Sequence, residues 1–312
     1  MSIGEDRIAA RNVERAMMIM VAAMLLLPAI DALAKVLAAT VPAGLIAWSR
    51  FAFQTSLLAP AAMQKRRTAQ RGLQLTHAAR GALLALTTLM FFAAVRVLPL
   101  AEAISIFFVE PLILTLLSAV CLRESIGWRR ISAVAVGFAG ALIIIRPSYE
   151  IFGPHALLPL GAAFCFALYL ILTRRIAPRE DPTTMQFYAG FYGFLAMSAG
   201  LAFGWALDIK VLTPVWPSLQ DWSLLALVGI VATVGHQMVV HAFRRAEAAI
   251  LAPFQYLEIV AATAYGFILF NDFPDATTWL GVAIIVGSGV YVFHRERTLA
   301  RDEPQKPTLR VS

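Results

Sequence analysis

Charge is scarce in this chain. Asp, Glu, Lys and Arg make up 14% of its 312 residues, where an average soluble domain carries about 25%. Cysteine is scarcer still, with only Cys121 and Cys165. Both fall in or beside apolar stretches and read as buried small apolar residues rather than as a disulfide. No Cys-x-x-Cys and no His-Glu-x-x-His occurs, so no metal and no cofactor is inferred. No Walker sequence occurs, which leaves the chain without ATP hydrolysis of its own. No Gly-x-Ser-x-Gly elbow marks a hydrolase. No polar stretch is long enough to hold a soluble domain. Met1–Arg15 is polar and ends in no small-residue cleavage site, so the first apolar stretch is expected to be a retained helix.

What fills the chain is apolar sequence. Hydrophobic residues reach 60% and mean hydropathy is +0.74. Ten apolar stretches, most close to 20 residues long, match the roughly 30 Å hydrocarbon core of a bilayer when wound as helices. They are Ala16–Leu37, Pro42–Met63, Ala79–Leu98, Leu100–Leu122, Ile131–Ile145, His155–Thr173, Thr183–Leu207, Trp222–Phe243, Ala248–Phe270 and Thr277–Phe293. The expected fold class is an all-α polytopic membrane protein with ten transmembrane helices.

Basic residues orient it. With the N-terminus in the cytoplasm, 21 of the 26 lysines and arginines fall on the cytoplasmic side, among them Lys65, Arg66, Arg67, Arg71 and Arg80 in one loop. Lys35, Arg96, Arg146 and Lys210 fall on the other side, and Arg50 stays inside a span. This bias places both termini in the cytoplasm. It also accounts for the net charge of +7 without nucleic-acid binding. The tail Arg295–Ser312 is expected to be solvated and disordered.

The two halves echo one another. Glu110-Pro111-Leu112 is followed by Arg123-Glu124, Trp128 and Gly137-Phe138-Ala139-Gly140; Glu258-Ile259-Val260 is followed by Asn271-Asp272, Trp279 and Gly287-Ser288-Gly289. Glu124 and Asp272 each lie 14 positions after the first glutamate of their set. An odd number of spans per copy turns the second copy upside down, and inverted repeats around a midplane site mark secondary transporters. The division expected is a tail 1–15, repeats 16–146 and 155–294, and a tail 295–312.

These residues, with Leu98-Pro99-Leu100-Ala101-Glu102-Ala103 before Glu110 and Ala252-Pro253-Phe254-Gln255-Tyr256-Leu257 before Glu258, resemble the EamA family of the drug/metabolite transporter superfamily over roughly residues 16–294. The Ala-Pro-Phe-Gln-Tyr run is similar to the branch that holds bacterial riboflavin and S-adenosylmethionine carriers. Members often carry Glu where this chain has Asp272. The resemblance implies a ten-helix carrier that alternates access around a central cavity between its repeats.

Ionisable groups inside the spans are costly and by default mark a pathway. Arg50 lies deep in the second span with Gln54 one turn on. It reads either as an anchor for a carboxylate, a phosphate or a ring edge, or as half of a structural ion pair. Asp31 and Lys35 are spaced as an i,i+4 pair; Lys35 is expected to snorkel to the interface, and Asp31 to partner Arg50. Pro28 is expected to kink the first span. Glu110, beside the helix-weakening Pro111, and Glu258, on one face with Leu251, Gln255 and Ala262, are candidate proton or cation sites, or else hydrogen-bonded links between helices. Glu102 reads as solvated, and Glu124 and Asp272 as caps or loop anchors. His236 reads as a titratable group or a hydrogen-bond partner; His241, five residues on, lies about 140° round the helix and cannot share a metal with it. Trp48, Phe51, Phe107, Phe108, Tyr188, Tyr192 and Tyr256 lie at cavity depth, Tyr256 standing out within the Gln-Tyr-x-Glu run. Small-residue pairs Ala133/Gly137, Gly200/Gly204 and Ala283/Gly287 allow close helix packing.

The function expected is secondary transport of a small-molecule substrate, with riboflavin or S-adenosylmethionine uptake suggested by the resemblance and export of amino acids or drugs as the alternative. Proton or ion coupling and a homodimer stay open. The site residues expected are Arg50, Glu110, Tyr256, Glu258, Gln255, Asp31, Gln54 and His236. An intramembrane enzyme or sensor is the distant alternative, for want of a nucleophile, a metal pair or an output domain. Short loops suit a multi-pass protein of the bacterial inner membrane, in contact with lipid.

Overall fold

The computed structural model describes residues 3–64, 73–122, 128–246 and 248–302. Helices account for the whole architecture of these residues, and they run as α1 (Ile3–Leu26), α2 (Pro28–Leu37), α3 (Ala43–Gln64), α4 (Gln74–Val95), α5 (Leu100–Phe107), α6 (Glu110–Leu122), α7 (Trp128–Phe152), α8 (Leu158–Ile176), α9 (Pro182–Ala206), α10 (Leu219–Phe243), α11 (Ala248–Gln255), α12 (Leu257–Phe270) and α13 (Ala276–Asp302). Each apolar stretch read from the sequence falls on one helix or on two that share a break. Among the described residues, six runs of helix are long and apolar enough to cross a membrane by length and composition.

Helix and apolar stretch do not end together. α1 begins at Ile3, so the polar N-terminal segment is largely helical, and α13 continues to Asp302, into the segment expected to be disordered. α7 runs past Ile145 to Phe152. The lipid core limits the length of apolar sequence and leaves the helix free to continue into the interface, where side chains are solvated. Glu124, the proposed cap after the fourth span, lies outside the described residues, as do Lys65, Arg66, Arg67, Arg71 and Arg123.

Three stretches are broken in the middle. Pro28 has no N–H and lies within a 3₁₀-like turn in which Ile30 N donates to Leu27 O at 2.9 Å. Tight turns of the same kind separate α5 from α6, where Val109 N donates to Ile106 O at 3.2 Å and Leu112 N to Val109 O at 3.0 Å, just ahead of and around Pro111. The third break, at Tyr256, stands 148 residues after Phe108 at the second, the separation of Glu110 and Glu258.

The packing is that of a bundle whose apolar side chains face both in and out. α3 packs on α9, α4 on α8 and α9, and α10 on α1, α2 and α3, while α7 and α13 pair along their length. Close approach of α7 and α13 comes from Gly140 and Gly281: a Cβ on Gly281 would sit 2.8 Å from the carbonyl oxygen of Gly140. Gly137 abuts Ser288 and Leu112, and Gly204 abuts Leu212, as their sequence spacing suggests; Gly287 faces open space, so Ala283/Gly287 is not a packing pair. Polar groups such as Arg50, Arg80 and Glu110 are buried, while Trp205, Phe203, Leu142 and Ile268 are exposed. This distribution, with the apolar helices, describes a multi-pass membrane protein. At the helix ends, Asp181 caps α9 and a Ser218–Asp221 capping box opens α10. Asp275 accepts from the backbone N–H of Thr278 at the start of α13, which holds its carboxyl below the ordinary carboxylate range.

Candidate functional site

The three helix breaks converge on one cavity. Asp31 lies in the first turn of α2, Glu110 opens α6, and Glu258 lies in the first turn of α12. A helix N-terminus carries partial positive charge and unpaired N–H groups. Each carboxyl therefore occupies the place where a helix best tolerates negative charge, which offsets part of the cost of holding it among apolar side chains. All three line a cavity of about 240 Å³, together with Arg50 of α3, His236 of α10 and Gln255 of α11.

Arg50 is buried with a guanidinium only partly engaged. Its Nη1 donates to the hydroxyl of Thr88, whose own proton goes to Leu84 O at 2.9 Å. The guanidinium carbon lies 5.2 Å from the centre of the Phe51 ring. Among the described residues its Nε has no hydrogen-bond partner, and neither has Oε1 of Glu110. Asp31 and Arg50 act on each other electrostatically, as do Asp31 and Glu258. Among the described residues, however, no carboxylate forms a direct ion pair with Arg50.

His236 places its Nδ1 2.7 Å from Ala232 O. A carbonyl only accepts, so Nδ1 carries the hydrogen and the neutral ring keeps Nε2 as an acceptor. Part of the lining is aromatic and begins one turn from Thr88 on α4. Phe91 and Phe107 meet edge to face at 5.3 Å, and Phe107 lies 5.7 Å from Phe166. These rings come from α4, α5 and α8.

Of the eight residues expected at the site, Arg50, Glu110, Glu258, Gln255, Asp31 and His236 line the cavity. Tyr256 stands behind the lining: its ring is 5.6 Å from that of Phe108 and its hydroxyl fills the space a Cβ on Gly289 would need. Gln54 turns away and donates to Gln186 O of α9 at 3.1 Å, so it joins two helices instead of facing the cavity with Arg50. Of the aromatic residues expected at cavity depth, Phe107 and Phe108 face the cavity. Trp48 donates to Ser198 at 2.9 Å and Tyr192 to Gln74 at 2.6 Å, while Tyr188 stacks on His77 at 4.9 Å. Sequence reasoning missed the stripe on α4, Leu84, Thr87, Thr88, Phe91 and Phe92. Its spacing of three and four residues is that of one helix face and was legible in principle.

Two polar clusters flank the cavity. At the end holding the α2 C-terminus, Lys35 does not pair with Asp31: it donates to Asp272 at 2.6 Å and to Leu98 O at 3.0 Å. Asp272 therefore anchors the turn after α12. Glu102 is not simply solvated, since Ser148 donates to it at 2.6 Å. At the opposite end, Arg80 is a buried member of α4 and not a loop cation. It reaches Thr173 at 2.9 Å, His77 at 3.2 Å and Tyr169 at 3.4 Å. Arg174 donates to Ser118 at 3.1 Å and Arg175 to Cys121 O at 2.8 Å, tying α8 to α6.

A cavity lined by carboxyls at broken helices inside a membrane bundle suits transport, and comparison with known proteins agrees. Residues 14–146 and 154–293 each match the family described as the EamA-like transporter family. An S-adenosylmethionine uptake transporter of Rickettsia bellii is 27% identical over 86% of this chain and 89% of its own. A riboflavin transporter of Vibrio cholerae is 29% identical over 69% of this chain and 70% of its own. A pseudopaline exporter of Pseudomonas aeruginosa is 30% identical over 82% of this chain and 88% of its own. With the family profile matched over both halves, the chain belongs to the EamA-like transporter family and is a membrane transporter of small molecules, not an enzyme.

Proposed function

We propose that this chain is a secondary carrier working by alternating access, with ten spans in two inverted repeats, 16–146 and 155–294, and both tails in the cytoplasm of a bacterial cell. The cargo classes favoured are those of its relatives, with S-adenosylmethionine or riboflavin uptake as the leading reading. The observation that carries the proposal is the cavity itself, built at three helix breaks and lined from both repeats. Broken helices that present charged groups at mid-depth are how many secondary transporters hold cargo and coupling ions. The driving force is a proton or other ion gradient, exchange, or the cargo gradient alone.

An asymmetry supports the alternating part of the reading. α5 packs on α12 at the Lys35–Asp272 end, whereas α6 and α11, their counterparts under the repeat, make no comparable packing among the described residues. One end is closed more tightly than the other. At about 240 Å³ the cavity lies just below the roughly 300–1,000 Å³ usual for small-molecule sites. The larger of the candidate cargoes therefore require the walls to part.

The test is counterflow in proteoliposomes preloaded in turn with S-adenosylmethionine, riboflavin, aromatic amino acids and cationic dyes. Exchange of one compound, lost in Arg50→Ala with the protein still folded and inserted, is the expected result. Wild-type rates in Arg50→Ala would remove Arg50 from the pathway, and no exchange of any compound by folded protein would sink the cargo assignment. The 30% identity to a pseudopaline exporter supports efflux as a second reading; accumulation in inside-out vesicles, with none in right-side-out ones, would select it.

A further inference from the structure

The cavity carries two buried polar atoms of opposite character that have no hydrogen-bond partner among the described residues: the Nε of Arg50, a donor, and the Oε1 of Glu110, an acceptor. Both residues are more than nine-tenths buried, at 8% and 9% exposure, and both line the cavity. An unmet polar group in apolar surroundings is costly, and more so when charged. The other buried guanidinium, Arg80, is met by Thr173, His77 and Tyr169, although Thr55, His77 and Thr184 also keep one buried polar atom each without a hydrogen-bond partner among the described residues. Arg50 and Glu110 both line the cavity and each keeps a polar atom unpaired among the described residues, so together they are the groups best placed to meet a ligand that brings an acceptor and a donor at once.

The aromatic lining narrows the class. The rings of Phe91, Phe107 and Phe166 lie in mutual contact at 71° and 47° to one another, so they offer a flat ring system both edge and face contacts. Charge narrows it again. Asp31, Glu110 and Glu258 share the lining with one guanidinium, so a cargo that brings a donor or cationic centre beside its acceptor meets more of these groups than one with acceptors alone.

We infer that the cargo is a zwitterion joined to a flat ring: its carboxylate meets Arg50, its cationic centre meets Glu110, and its ring lies on the Phe91–Phe107–Phe166 wall. The inference rests on the transporter reading and deepens it. It separates the candidate cargoes by chemistry, since riboflavin has a flat ring and neither ionic end.

The test is equilibrium binding to the purified full-length protein, so that it does not depend on flux. The probes are S-adenosylmethionine, S-adenosylhomocysteine, the methyl ester of S-adenosylhomocysteine, adenosine and riboflavin. The two free acids are expected to bind at least tenfold more tightly than adenosine or riboflavin, and the ester to lose most of that advantage on wild-type protein. Arg50→Gln should weaken the acid about tenfold and leave the ester unchanged, while Glu110→Gln should weaken acid and ester alike. Riboflavin or adenosine binding as tightly as the acids, or an ester as good as its acid, would overturn the inference. So would failure of both acids to bind folded protein; the transporter reading is then judged separately by counterflow, where another cargo can still move.

Discussion

Arg50 and Arg80 show how far a single residue can be read. Both are buried guanidiniums of the first half, 8% and 1% exposed. Arg50 declared itself because apolar sequence surrounds it. Arg80 did not, because Gln74, Thr76 and His77 precede it and the stretch looks like a loop; α4 starts at Gln74 and draws it inside. The difference in use follows from what each side chain meets. Arg80 bonds Thr173 and Tyr169 and lies 5.1 Å from the Tyr169 ring, so its charge is occupied in joining α4 to α8. Hydrogen bonds to a charged group are each worth about 1.5–3 kcal/mol. Arg80→Ala should therefore lower the thermal unfolding temperature in detergent by several degrees. The control is Arg146→Ala. Arg146 is 85% exposed and pairs with Glu150 at 3.7 Å, and such surface pairs contribute little. Equal shifts for the two variants would show that the Arg80 cluster does not hold the bundle together.

At the scale of elements, the helix breaks organise everything else. They were partly legible. Pro28 and Pro111 announce two of them, because proline removes a donor from the ladder. The break at Tyr256 has its counterpart in the first half and could be placed only by aligning the halves. The spans were legible because lipid imposes a length on apolar sequence. The partners were not: Lys35 and Asp272 are 237 residues apart, and no local pattern says that they meet. Lys35 looked like an i,i+4 partner of Asp31, yet the break places Asp31 in the cavity and leaves Lys35 free to reach α12. That contact yields a prediction about the closure of the end that holds the α2 C-terminus. The two side chains are 15% and 31% exposed, so their attraction is screened and amounts to about 1 kcal/mol, roughly fivefold in a two-state ratio. In protein with Cys121 and Cys165 changed to Ser, Ile104→Cys places a reporter in the cavity lining. Adding Lys35→Ala should raise its labelling by an impermeant maleimide from the α2 C-terminal side several-fold, and the swap Lys35→Asp with Asp272→Lys should bring it back down. Unchanged labelling in Lys35→Ala would mean that α5 and α12 close that end without the ion pair.

For the whole molecule, the open question is which way up it sits, and the two ends of the bundle differ enough in charge to argue it. The end that holds the α3–α4 connection, the α8–α9 turn and the tail after α13 carries most of the lysines and arginines. The other end carries few, and its long α9–α10 connection holds Lys210 as its single basic residue. Translocation of arginine-rich segments is disfavoured, so the basic end should stay in the cytoplasm. If each copy holds an odd number of spans, as proposed, both tails return to one side. The charge bias alone says which side that is, and single cysteines test it in the cysteine-free background. Pro214→Cys, between α9 and α10, should react with an impermeant maleimide on intact cells. Arg179→Cys, between α8 and α9, should react only after permeabilisation, and a fluorescent protein fused to the C-terminus should fold and fluoresce. Reversed labelling would invert the molecule and, with it, the assignment of the Lys35–Asp272 end to the outside. Labelling of both positions on intact cells would break the five-span count of the second repeat, since α9 then could not separate them.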